Sequence, residues 1–240
     1  MTITVVGAES NTQSETLTHT VSVPAGTADG DTMISFSMWV DDDHLTPTGT
    51  GPSAFTEIDG QVETVGSDNT TWIARREASS EPASYQFTGN GVTSNDNGGT
   101  LIVTFRGVDT TDVLDFTYAT ANHYISSQND TTPTSQPITT NNDGAMIVIC
   151  CAVNGDVTSV PTAPVNYDTQ ISVDEGFARV FACVTQILDN SGTETPGAFG
   201  LPGAPSNIDC SLYILALKRA VPAGGVIGRG IGRGIGRGIG

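Results

Sequence analysis

Two copies of one pattern, an acidic-glycine turn that feeds straight into an apolar strand, limit what this chain can become. The first copy is ADGDTMISFSMWV at 28–40 and the second NDGAMIVICCAV at 142–153. The segments after each copy recur in the same order. A Thr/Pro loop leads to an aromatic-Thr strand (Phe55 and Thr56, then Tyr167 and Thr169), then to an apolar strand near 72–75 or 179–184, then to a closing hydrophobic strand at 101–108 or 212–217. The offset stays near about 112 residues from Gly30 and Gly144, through Met33 and Met146, to Leu101 and Leu212. An offset held across several elements points to duplication.

In several segments the apolar period is two rather than 3.6, so side chains alternate between faces and these segments read as strands. Ile34, Phe36, Met38 and Val40 share one face, and Leu17, His19, Val21 and Val23 another. Strands are expected at 2–6, 16–23, 33–40, 55–58, 61–65, 70–76, 84–88 and 100–108, with a turn at Asp59 and Gly60. The expected class is all-β: an antiparallel β-sandwich of jelly-roll type, built from two similar halves at about 28–115 and 142–219. N-terminal strands occupy 1–27 and an extended arm occupies 220–240. Residues 148–153 and 212–217 are apolar on both faces, which places them centrally, under a subunit interface or under a long loop of the same chain.

The arm has a period of its own. From Gly228 onward every second residue is glycine, and Ile227, Arg229, Ile231, Arg233, Ile235, Arg237 and Ile239 occupy the places between. Such a segment has too few side chains to build a core, so it is either a disordered tail or a strand ordered by something else. As a strand it carries a bare glycine face, open to another backbone, and a face of apolar plugs interleaved with cations. The charge of the chain is divided to match. There are 26 acidic and 9 basic residues, net −17, yet Lys218, Arg219, Arg229, Arg233 and Arg237 all fall at the end of the chain. An acidic body argues against a nucleic-acid backbone as partner and suits a sister copy as acceptor for a basic arm.

Few residues point to chemistry. The histidines are His19, His44 and His123, and no nucleophile elbow is present. Asp41, Asp42, Asp43 and His44 resemble ligands for a hard cation but lack the spaced donors of a calcium loop, and a solvated acidic turn is expected there. Glu57, Asp59 and Glu63 could be imagined as a glycosidase pair, on and beside a predicted hairpin. Trp39, Trp72, Tyr85, Tyr118 and Tyr124 could form a platform for stacking a sugar, with Trp39 the foremost because it lies opposite the apolar face of its strand. Cys150, Cys151, Cys183 and Cys210 sit in apolar strands and are expected to be reduced and structural. No cofactor or metal is expected. The opening MTITVVGAES lacks the basic and apolar regions of a secretory signal, and no run is long and apolar enough for a membrane span.

Several stretches together resemble β-sandwich proteins of tailed-phage virions, among them capsid decoration (cement) proteins and head-fibre modules. They are GDTMISFSMWV at 30–40, TPTGTGPSAFTEI at 46–58, EPASYQFTG at 81–89, GGTLIVTFRGVDTTDVLD at 98–115, DGAMIVI at 143–149, PTAPVNYDT at 161–169 and LYILALKR at 212–219. The resemblance implies a non-enzymatic structural protein, made in the host cytoplasm and carried on the capsid exterior. It would form a homotrimer and bind the major capsid protein. The alternative it implies is a fibre module that binds a host-surface glycan. The Gly-Ile-Gly-Arg segment lies outside the resemblance and rests on the physical argument alone.

Overall fold

The computed structural model describes residues 1–13, 18–39, 45–63, 69–90, 98–116, 124–128, 130–155, 160–174, 179–201 and 208–221. These are all-β, with a single five-residue helix, α1 (Thr50–Ala54). The first part of the chain gives β1 (Thr4–Gln13), β2 (Thr18–Ser22), β3 (Thr32–Trp39), β4 (Leu45–Thr48), β5 (Thr56–Glu63), β6 (Asn69–Glu77), β7 (Ser84–Asn90) and β8 (Gly98–Arg106). The second gives β9 (Tyr124–Gln128), β10 (Ile138–Thr140), β11 (Met146–Gly155), β12 (Asp168–Asp174), β13 (Arg179–Ile187), β14 (Gly192–Glu194) and β15 (Ile208–Leu217).

Two five-stranded antiparallel sheets dominate, in the orders β1-β8-β3-β6-β5 and β12-β13-β11-β15-β9. Read from its other edge, the second order has the same sequence of chain positions as the first. Of the smaller sheets, β10-β14 corresponds to the β2-β7 pair, whereas β4 makes the first a three-stranded sheet. In the first unit β1 pairs with β8, β2 with β7 and β3 with β6; in the second β9 pairs with β15, β10 with β14 and β11 with β13. Residues 1–27 therefore do not stand apart, because β1 and β2 are bonded into the sheets of the first unit.

The acidic-glycine turns explain how each central strand begins. Gly30 and Gly144 both take a positive φ, 85° and 76°, a conformation that favours glycine. Gly30 N–H donates to Ala78 O and Ala78 N–H to Asp31 O, while Gly144 N–H donates to Leu188 O and Leu188 N–H to Ala145 O. The preceding aspartates close the same ring: Asp29 accepts the Ser80 N–H at 2.8 Å, and Asp143 the Ser191 N–H at 2.7 Å. The edge strands agree as well, with a register shift between Glu57 and Asp59 in β5 and between Thr169 and Ile171 in β12. That bulge absorbs Asp59 and Gly60 into one continuous strand, where a turn between two strands was expected.

Four layers result. Ile34, Phe36, Met38, Leu101, Val103 and Phe105 of the first large sheet pack against Met146, Val148, Cys150, Tyr213, Leu215 and Leu217 of the second. The opposite face of the first sheet, with Met33, Trp39, Trp72 and Ile102, is covered by Val21, Tyr85 and Phe87 of the small sheet. The opposite face of the second, with Ile147, Ile149, Cys151 and Ile214, is covered by Ile138, Tyr167, Phe199 and Leu201. Of the two expected covers for the doubly apolar strands, the chain itself supplies one. Each fully buried Ile, Leu, Val or Phe contributes about 2 kcal/mol, which is what makes two-sided burial of β3 and β11 so constraining.

Candidate functional site

The residues that lead into the 222–240 segment are held tightly. Beyond Leu217 the chain runs antiparallel to the connector after β8, with bridges between Leu114 and Leu217 and between Val108 and Arg219. Four main-chain bonds, each 2.8 Å, close this contact: Asp115 N–H to Ala216 O, Lys218 N–H to Val113 O, Asp109 N–H to Lys218 O, and Ala220 N–H to Gly107 O. Gly107 has φ 87°, and a Cβ there would stand 2.7 Å from Thr2 O, so the connector turns where only glycine fits.

Side chains reinforce the clamp. Lys218 Nζ donates to Asp112 at 2.7 Å and lies 3.6 Å from Asp109. The bond to Asp112 raises the Lys218 pKa, and the Thr111 hydroxyl, with nearby N–H groups, lowers that of Asp109. The Arg219 guanidinium lies over Gly144, where a Cβ would stand 2.8 Å from Nη1. Asp143 is held below the usual carboxylate range by bonds from Ser191 and by the Arg219 charge. Near the other glycine turn Arg106, the last residue of β8, binds Asp31 through Nε at 2.9 Å and Nη2 at 2.7 Å; Asp31 follows Gly30, whereas Asp143 precedes Gly144. Two cations at the root are thus already matched by carboxylates, and Val221, next in the chain, is 78% exposed. The arm residues Ile227, Arg229, Ile231, Arg233, Ile235, Arg237 and Ile239 lie outside the described residues.

The expected sugar platform is corrected by burial. Trp39 and Trp72 are each 1% exposed, under the small sheet of the first unit. Trp39 does lie opposite Ile34, Phe36 and Met38, but that face is interior too. Its ring stacks on His19 with centroids 5.5 Å apart, and the Trp72 Nε1–H donates to Glu57 at 2.9 Å. Tyr85 is buried, its hydroxyl donating to Glu81, which also receives two bonds from Arg76 Nε. Tyr118 and the side chain of Tyr124 lie outside the described residues.

The acidic candidates have structural occupations. Glu57 accepts from the buried Trp72, and Asp59 accepts from Gln61 Nε2 at 3.0 Å, both on edge strand β5. The Glu63 side chain, Asp41, Asp42, Asp43, His44 and His123 lie outside the described residues. Among the described residues, no three His, Cys, Asp or Glu side chains gather as metal ligands would.

His19 is the one perturbed group inside the fold that sequence reasoning placed on a half-buried strand. It is fully buried, its Nδ1 is 3.3 Å from Thr100 Oγ1, and burial lowers its pKa to about 4. Among the described residues its Nε2 and the neighbouring Trp39 Nε1 have no hydrogen-bond partner. Sequence reasoning missed the clamp at 107–115, which depends on that connector lying beside 216–220, a contact no local pattern announces. Comparison with protein-family models, with curated proteins and with solved structures finds no match to this chain.

Proposed function

We propose that the chain is a non-enzymatic virion structural protein, a capsid decoration (cement) subunit. In this reading its acidic body presents the 222–240 segment as an anchoring arm to the major capsid protein and to sister copies in a homotrimer on the capsid exterior. The observation that carries the proposal is the clamp on 216–220, which holds the chain to the acidic body immediately before the basic segment begins. An arm of this kind adds main-chain hydrogen bonds to an exposed sheet edge. Its glycine face permits close approach, and its arginines match the net −17 of a neighbouring copy. Repeated over an assembly, such weak contacts gain through effective concentration.

The same proposal extends to the architecture. We read the two units as duplicates of one jelly-roll module, a ribbon in which the first strand pairs with the last and the second with the next to last. The repeat would then include β1, β2, β9 and β10, beyond the halves at 28–115 and 142–219. The matching strand orders, glycine turns and edge bulges support this reading.

Co-sedimentation with assembled shells tests the function. The full chain is expected to pellet with shells, and a chain ending at residue 221, folded to the same melting temperature, to remain in the supernatant. Equal pelleting of both would overturn the arm as the anchor.

A further inference from the structure

All four cysteines lie in one sheet, as free thiols and fully buried or nearly so. They fall into two neighbouring sets, one on each face of β11. Cys150, on the face toward the first unit, stands directly opposite Cys183 of β13. Cys151, on the other face, stands opposite Leu212, whereas Cys210 stands opposite Val153, two places along β15. Cys151 and Cys210 are therefore diagonal neighbours.

Ladder geometry separates the two sets. Directly opposed residues of an antiparallel pair have Cα atoms about 4.5–5.5 Å apart, inside the window of about 4.4–6.8 Å that a disulfide needs. Diagonal residues are about 7–8 Å apart, beyond it. Cys150 and Cys151 are successive in a strand and point to opposite faces.

We infer that Cys150 and Cys183 form a disulfide site, a cross-strand link closed by a small-molecule disulfide such as oxidised glutathione, while Cys151 and Cys210 stay thiols. The two groups already interact, since the Cys150 thiol is held well above its ordinary pKa first by hydrogen bonding with Cys183 and then by burial. The thiolate of one cysteine attacks a sulfur of the reagent and expels one small thiolate, leaving a mixed disulfide. The thiolate of the other then attacks the protein sulfur and expels the second. The protein gives up two protons and two electrons, and the reagent is reduced to two thiols. Because the native pair is buried and poor in thiolate, exchange runs through the opened chain or as β11 and β13 first pair.

The test treats the full chain with oxidised glutathione in two ways, during refolding from urea in a glutathione redox buffer and as the folded protein over several days. Thiols are counted after denaturation and linked peptides identified by mass spectrometry. The Cys151→Ala variant removes the ambiguity of the adjacent pair, and Cys150→Ala serves as the control. Expected are two remaining thiols, one link between positions 150 and 183 that persists in Cys151→Ala and is lost in Cys150→Ala, and a melting temperature higher by about 10 °C, from closing a loop of roughly thirty residues. A link that uses Cys151 or Cys210, or a folded chain with four thiols in both treatments, overturns the inference.

Discussion

Burial of His19 makes the stability of the chain fall on acidification. The ring is stacked on Trp39, and burial lowers its pKa from 6.5 to about 4. Above pH 6.5 it is neutral in both the folded and the unfolded chain, so its full contribution is present. Between 6.5 and 4 the unfolded chain takes up a proton that the folded chain refuses, and stability drains away as the pH falls. Below 4 both states carry the proton and the loss is complete. A gap of about 2.5, at about 1.36 kcal/mol for each pH unit, gives a loss of about 3 kcal/mol. His19→Phe keeps a ring against Trp39 and removes the titration. It forfeits the Thr100 contact, a cost of about 1 kcal/mol that does not vary with pH. Urea unfolding of both proteins from pH 7 to pH 4 isolates the histidine, because the carboxylates common to both cancel in the difference. The variant is expected to gain about 3 kcal/mol on the parent across that range. Parallel stability curves would refute the assignment of a neutral, buried imidazole.

Packing and turn geometry set further expected outcomes. Gly98→Ala would drive a Cβ into Met38 O and within 2.9 Å of the His19 ring, so a loss of roughly 3 kcal/mol is expected in chemical denaturation. Tyr213→Phe removes a buried 3.1 Å contact with Thr71 across the two large sheets. It should cost about 1–2 kcal/mol, and a double-mutant cycle with Thr71→Val should show coupling. Asp29→Ala and Asp143→Ala each remove a carboxylate that accepts a serine N–H in matching turns, and Asp143 also takes a side-chain bond from Ser191 and faces the Arg219 charge, so urea titration is expected to show a lower midpoint for both variants and the larger drop for Asp143→Ala.

The strands with the clearest alternation could be read from sequence because their pattern is local. Ile34, Phe36 and Met38 do share a face, and 148–153 and 212–217 are central. The glycine turns were legible for the same reason. The cover over Trp39 was not, because it depends on β2 pairing with β7 across some seventy residues, a long-range choice that neither segment announces. The split of β5 into two strands came from reading Asp59 and Gly60 as a turn, where a bulge serves instead. The two sets of cysteines required register, which period alone does not supply. The charge asymmetry was legible by counting, whereas the clamp that holds 216–220 needed the connector at 107–115.

The most direct test of the anchoring claim is a cryo-electron microscopy map of the assembled particle, resolved well enough to trace residues 222–240. The account predicts an extended Gly-Ile-Gly-Arg segment that leaves the clamp at Ala220 and lies along a neighbouring subunit, its arginines against carboxylates. If residues 226–240 touch nothing beyond their own chain, the arm is not an anchor and the proposed function is wrong.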